Sequence, residues 1–125
     1  MGFNEKVHAF IAAKFYVYLT EAFGERGERA FIHGTQYYAE QRGRRMAQRA
    51  IRDGKELTYA NYLEYGEWVN TQEIIDEGCA NKSTIESWAP DYRIHITMCP
   101  WYTQFKEMGL PDAGHVYCAH LDNSI

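Results

Sequence analysis

The sequence has few cysteines, no excess of basic residues and no long hydrophobic run. Three cysteines among 125 residues, without a CxxC pair, fit reduced thiols better than a disulfide framework. The formal net charge of −4 at pH 7 offers no overall attraction to phosphate backbones, so nucleic acid is not expected as a partner. No segment reaches the roughly 20 apolar residues of a membrane span. Since no signal peptide is recognisable either, we expect a cytoplasmic protein without a membrane partner.

The sequence does contain enough apolar material for one folded domain. Hydrophobic residues make up 46% of the chain, including 10 tyrosines and 6 phenylalanines. At this length a core can be buried without disulfides or a structural metal. We therefore predict a single domain over residues 1–125, without a cofactor.

Helical periodicity dominates the first part of the chain. Apolar residues at steps of three and four predict an amphipathic helix from Asn4, a suitable N-cap, to Phe23. We expect this stripe to face the core and the helix to be largely buried; the stripe comprises Val7, Ile11, Phe15, Tyr18 and Ala22. Glycines at positions 24 and 27 predict a short break, after which a second helix runs from Glu28 to Asp53.

The spacing of apolar residues changes from a helical to a β pattern in the second part of the chain. A short helix over Tyr59–Tyr65 precedes two segments of β character, Ser83–Trp88 and Tyr92–Met98, which predict an antiparallel pair. Two further helices are predicted, from Pro100 to Met108 and from Pro111 to Leu121. The predicted fold class is α+β, with long N-terminal helices packed on a small antiparallel sheet and short C-terminal helices.

Cys99 lies where the second β segment gives way to a helix. Because proline is favoured at the first helical position, Pro100 makes Cys99 the predicted N-cap. Unpaired amides and the helix dipole stabilise a thiolate there, which makes Cys99 a candidate nucleophile. A metal ligand, or a small capping residue packed against Trp101, is the alternative.

A second group of reactive side chains lies in the last predicted helix. His115, Cys118 and Asp122 are spaced i, i+3 and i+7, so they point within about 60° of one another. An imidazole, a thiol and a carboxylate on one face suit nucleophilic catalysis with proton transfer. Helix-end capping and core packing are the alternative, and without an HxxxH or CxxC pair we predict no metal site.

The second helix carries two features that bear on a pocket. His33, Tyr37 and Glu40 are predicted to share a face, which suits either the floor of a polar pocket or a boundary between core and solvent. Gly43 costs about 1 kcal/mol relative to alanine in the middle of a helix. Close approach of another helix or of a ligand would compensate for that cost.

Several segments, taken in order, resemble the L-2-amino-thiazoline-4-carboxylate hydrolase family. The resemblance runs from about Val17 to Asp122 and rests mainly on the segments YAEQRG (38–43), ITMCPW (96–101) and YCAHLD (117–122). It implies an enzyme that opens a small sulfur heterocycle. The positions that match the family are Glu40, Arg42, Gly43, Cys99, Cys118 and Asp122.

Residue type and spacing suggest roles for these positions. Cys99 would attack an electrophilic carbon as a thiolate, Cys118 or His115 would move the proton, and Asp122 would orient that group. Arg42 is expected to hold a substrate carboxylate. The predicted binding residues are Tyr37, Glu40, Arg42 and Trp101.

A non-catalytic role is the alternative to the enzyme. Members of the family continue with a further C-terminal strand region, whereas this sequence ends at Asn123-Ser124-Ile125. The chain would then be a ligand-binding or assembly subunit, either a homo-oligomer or a hetero-oligomer with a chain that completes the fold. The tryptophans at 68, 88 and 101 and the many tyrosines could cover such a partner.

Overall fold

The computed structural model describes residues 3–67 and 69–122, and its element order confirms the predicted α+β class. Trp68 and the Asn123-Ser124-Ile125 segment lie outside the described residues. The elements are α1 (Glu5–Phe23), α2 (Glu25–Arg52), α3 (Tyr59–Glu64), α4 (Gln72–Asp76), β1 (Lys82–Ser87), β2 (Arg93–Met98), α5 (Pro100–Glu107) and α6 (Pro111–Asp122). The sequence did not predict α4. Within the described ranges, no helix is both long and apolar enough to cross a bilayer.

The two long helices form an antiparallel hairpin that turns at a single residue. Gly24 adopts φ 57°, a left-handed value that glycine reaches without steric cost. The rings of Tyr16 and Phe31 lie 5.2 Å apart, and those of His8 and Tyr38, farther from the turn, 6.2 Å apart. The predicted break is therefore shorter than expected, because Gly27 belongs to α2.

The buried face of α1 is not the predicted one. Ala9 and Ala13 are fully buried, whereas Ile11, Phe15 and Tyr18 are 40%, 60% and 63% exposed. The expectation that the large apolar stripe faces the core, and that the helix is largely buried, is wrong. Alanines on the inner face allow α1 to lie against α2, α5 and α6 together, and the opposite face is left outside.

The start of α1 is tied to the segment that leads into the sheet. Asn4 caps the helix by accepting a hydrogen bond from the Val7 amide at 3.0 Å, as predicted. The buried Glu5 carboxylate accepts hydrogen bonds from both the backbone N–H and the hydroxyl of Thr71, each at 2.8 Å. Thr71 is in turn the N-cap of α4, so this short helix depends on a carboxylate distant in sequence.

The core lies among α1, α2, α5 and α6. Phe105 is fully buried, and its ring lies 5.9 Å from that of Tyr117, which is 6.4 Å from Phe31. The antiparallel β1–β2 pair is confirmed as predicted. Tyr92, next to β2, stacks on Tyr59 of α3 at 4.9 Å between ring centroids. The hairpin and α3 thus make a second wall that faces α2.

A close approach of α1 and α2 at Gly27 provides a test of this packing. A Cβ at Gly27 would lie 1.9 Å from the carbonyl oxygen of Leu19, a backbone atom that cannot move alone. Gly27→Ala is therefore expected to lower the free energy of unfolding by about 3 kcal/mol or more. Urea unfolding followed by circular dichroism measures the change.

Gly34→Ala is the matched control on the same helix. An added Cβ at Gly34 meets nothing within 4 Å. Because alanine is the better helix former by about 1 kcal/mol, this variant should be at least as stable as the wild type. Equal stability of the two variants would show that the helices do not cross at Gly27.

Candidate active site

A cavity of about 940 Å³ lies between the long helices and the wall made by α3 and the hairpin. Its volume falls within the range of about 300 to 1,000 Å³ found for small-molecule sites. One part of the lining is apolar and aromatic, and includes Tyr59, Tyr62, Tyr92, Ile94 and Ile96. The other part carries the reactive groups, which are His8, Arg42, Cys99, Cys118 and Asp122.

Five of the candidate residues from the sequence meet in this cavity. They are Arg42, Cys99, Trp101, Cys118 and Asp122, and they come from α2, the start of α5 and the end of α6. Gly43 also lines the cavity. Its position favours a ligand over a neighbouring helix as the reason for a glycine in the middle of α2.

Three other candidates on α2 lie outside the cavity. Tyr37 is 67% exposed, and His33 and Glu40 are exposed as well. Thr35 and Ala39, which are four residues apart, lie on the buried face of α2. Tyr37 and Glu40 lie on a different face, which points to solvent. His33, Tyr37 and Glu40 therefore do not form the floor of a polar pocket.

His115 is also separate from the cavity. It is exposed beside Tyr102, with 6.4 Å between the ring centroids. The helical angle placed it near Asp122, but seven residues at 1.5 Å per residue separate the two by about 10 Å along the axis. His115 therefore does not reach Asp122, and it is not part of the cavity lining that holds Cys118 and Asp122. His120, on another side of α6, pairs its Nδ1 with Nε2 of Gln36 at 3.3 Å.

His8 is a cavity residue that the sequence reasoning missed. Its Nε2 lies 3.0 Å from the hydroxyl oxygen of Tyr117, and its ring meets Trp101 edge-on at 5.9 Å. Burial, and to a smaller extent the charge of Arg42, hold the pKa of His8 below the usual 6.5. At neutral pH the imidazole is therefore uncharged and able to accept a proton. The one sequence signal was its position next to Ala9, on the small-residue face of α1.

Arg42 supplies positive charge to the cavity. Its Nε is buried without a hydrogen-bond partner, and within residues 3–67 and 69–122 no carboxylate lies within 4.0 Å of the guanidinium. The guanidinium keeps its charge, since arginine does not deprotonate in proteins. It is therefore suited to a bidentate contact with an anionic ligand.

The two cysteines of the cavity differ in their surroundings. Burial, followed by the charges of Asp122 and Cys99, raises the pKa of Cys118 to about 12, so its thiol stays protonated at neutral pH. The influence of Cys99 on Cys118 also indicates that the two lie near each other. Cys99 is the N-cap of α5, as predicted, but its side chain makes no capping hydrogen bond. Its carbonyl instead accepts hydrogen bonds from the amide and the hydroxyl of Thr103, at 3.0 and 2.9 Å.

Asp122 completes the polar part of the lining. It is the last residue of α6 and keeps part of its surface exposed. Burial in the cavity wall raises the pKa of its carboxyl above the usual value, and the charge of Arg42 opposes this shift. Throughout the described part of the chain, no group of three or more histidines, cysteines or acids is placed to hold a metal ion.

The fold and the cavity define a small α+β protein with two cysteines in the lining of its cavity. The chain belongs to the L-2-amino-thiazoline-4-carboxylic acid hydrolase family, whose model matches residues 4–125. This match confirms the resemblance recognised in the sequence and extends it towards the N-terminus. No curated protein and no solved structure matches the chain.

The protonated state of Cys118 can be tested by alkylation. Because iodoacetamide reacts with thiolates, Cys118 is expected to react at least about tenfold more slowly at pH 8 than Cys79, which lies outside the cavity. Peptide mass spectrometry follows each cysteine separately. In denaturant the two should react at similar rates, and a difference that persists there would contradict the structural explanation.

The neutral state of His8 predicts a pH dependence of stability. Its folded-state pKa lies below the unfolded value near 6.5, so the unfolded chain binds the proton first as the pH falls. This contribution therefore destabilises the fold progressively below pH 6.5. Thermal unfolding of the wild type and of His8→Gln between about pH 7 and 5 should show a weaker pH dependence in the variant. His115→Gln, at an exposed histidine, should leave the wild-type dependence unchanged.

Proposed function

We propose that the protein is a hydrolase that opens a small heterocyclic carboxylate, with Cys99 as its nucleophile. The observation that carries the proposal is that Arg42, whose buried Nε has no hydrogen-bond partner, lies in the same cavity as Cys99 and a neutral histidine. The family description, which names hydrolysis of a thiazoline carboxylate, supports the same substrate class.

Arg42 is the residue that would hold the substrate. A carboxylate on the guanidinium would gain charge-assisted hydrogen bonds and would give the buried Nε a partner. Trp101, which also lines the cavity, offers an aromatic surface for a flat ring. The substrate would then lie between α2 and the start of α5.

The chemistry requires one nucleophile and two proton carriers. The reactive carbon of a 2-amino-thiazoline ring lies between nitrogen and sulfur. In the proposed reaction, His8 accepts the proton of the Cys99 thiol, and the thiolate forms a carbon–sulfur bond to that carbon. The protonated Cys118 thiol gives its proton to the ring atom that leaves, and Asp122 orients it. The Cys118 thiolate then takes a proton from water, which adds to the same carbon, and Cys99 leaves and regains its own proton from His8.

Turnover of 2-amino-thiazoline-4-carboxylate by variants tests the assignment. Cys99→Ser is expected to lower kcat/KM by about a thousandfold or more, since the hydroxyl is a far weaker nucleophile at neutral pH. Arg42→Gln should mainly raise KM, by about 10- to 100-fold, because it removes the charged contact to the carboxylate. Loss of substrate is followed by chromatography.

Cys79→Ser is the matched control, since Cys79 is a half-buried cysteine outside the cavity. It should keep wild-type turnover. Undiminished turnover by Cys99→Ser would refute the nucleophile assignment and leave the rest of the site to be reconsidered.

A ligand-binding or assembly subunit is the second candidate function. Large apolar residues of the cavity wall remain open to solvent, with Leu57 64%, Tyr59 52% and Ile96 48% exposed. Another chain could cover this wall and complete the site. Wild-type protein that binds the thiazoline carboxylate but turns it over only with such a partner present would favour this alternative.

A further inference from the structure

The outer face of α1 carries an apolar stripe that no described part of the protein covers. Ile11, Phe15 and Tyr18 follow one another at steps of four and three, and are 40%, 60% and 63% exposed. They lie opposite the buried Ala9 and Ala13. The groove beside them, between α1 and α2, has a volume of about 400 Å³ and is also lined mainly by apolar residues.

The stripe is large enough to support an interface. Phenylalanine and tyrosine side chains each bury roughly 150–250 Å². The exposed parts of Ile11, Phe15 and Tyr18 add up to a few hundred Å². A standard interface buries about 800 Å² per partner, so this face supplies a major share of one.

Two charges flank the stripe along one edge. Lys14 and Glu21 are seven residues apart, so they lie on the same side of the helix, two turns from each other. The Lys14 ammonium lies 5.7 Å from the centroid of the Phe10 ring. In the described part of the chain, neither Lys14 nor Glu21 has an oppositely charged group within 4.0 Å.

The positions of Lys14 and Glu21 on one copy of α1 are complementary to those on a second, antiparallel copy. When two copies of α1 pack antiparallel, Phe15 meets Tyr18 of the second copy, and Ile11 meets Ala22. Lys14 of each copy then lies near Glu21 of the other, so two ion pairs form across the two-fold axis. Parallel packing would put Lys14 beside Leu19 and leave both charges without partners. A helix that binds an anionic membrane would be expected to carry cations along the edge of its apolar stripe, whereas this edge carries one cation and one anion.

We propose that α1 is a self-association surface through which two copies of this chain form an antiparallel, two-fold symmetric dimer. The inference goes beyond the proposed hydrolysis, since it rests on the helix face that points away from the cavity. Phe15 and Tyr18 form the centre of the interface, and Lys14 and Glu21 fix its direction.

Charge reversal tests both the surface and its direction. Sedimentation velocity from the micromolar to the submillimolar range should show a wild-type dimer. Lys14→Glu and Glu21→Lys each turn two attractive contacts into repulsive ones, so each should raise the dimer Kd by about tenfold or more. An equimolar mixture of the two variants should dimerise again, because every altered charge then meets its opposite. High salt should reduce these differences.

Two further variants distinguish loss of the interface from loss of folding and from charge reversal elsewhere on the surface. Phe15→Ser should be monomeric while keeping the helical circular dichroism of the wild type, because its side chain lies outside the core. Lys82→Glu, an exposed charge reversal on β1, should leave the dimer unchanged. The proposal is overturned if the wild type is monomeric at every concentration. It is equally overturned if the single reversals leave dimerisation unchanged, or if their mixture stays as weak as each alone.

Discussion

The close packing of α1 through alanine is the constraint on which the site depends. Ala9 and Ala13 keep no exposed surface, and through them one helix lies against α2, α5 and α6 together. Larger side chains at these positions would force the helices apart, as interiors are too densely packed to absorb the volume. His8, adjacent to Ala9, is thereby carried to the place where Arg42 of α2 and Tyr117 of α6 meet. The same packing leaves the large apolar residues of α1 on the outside.

Local signals were enough to predict much of this fold. Asn4 starts α1 through the hydrogen bond that its side chain accepts, and Pro100 starts α5 because its fixed φ suits the first helical position. The β hairpin follows from short apolar segments around a turn. Residue type and local spacing were likewise enough to name Cys99, Cys118 and Asp122 as candidate site residues. Whether they line one cavity depends on how α5 and α6 pack.

What the sequence did not predict depends on distant parts of the chain. Periodicity identified an apolar stripe on α1, but only the neighbouring helices decide that alanines are buried and Phe15 is not. Helix α4 has five residues, and its cap Thr71 is held by Glu5, 66 positions away. A single histidine such as His8 has no periodic signal at all. His115 was misplaced because helical angle alone ignores the rise along the axis.

The charges of the cavity are coupled through Arg42. Its guanidinium contributes to the low pKa of His8 and opposes the upward shift at Asp122, while burial acts on both groups. A carboxylate bound at Arg42 would cancel much of the guanidinium's field, leaving burial as the main influence on His8. The imidazole would then become somewhat more basic once the ligand is in place. An empty cavity and one with an anion at Arg42 would therefore differ in the basicity of His8.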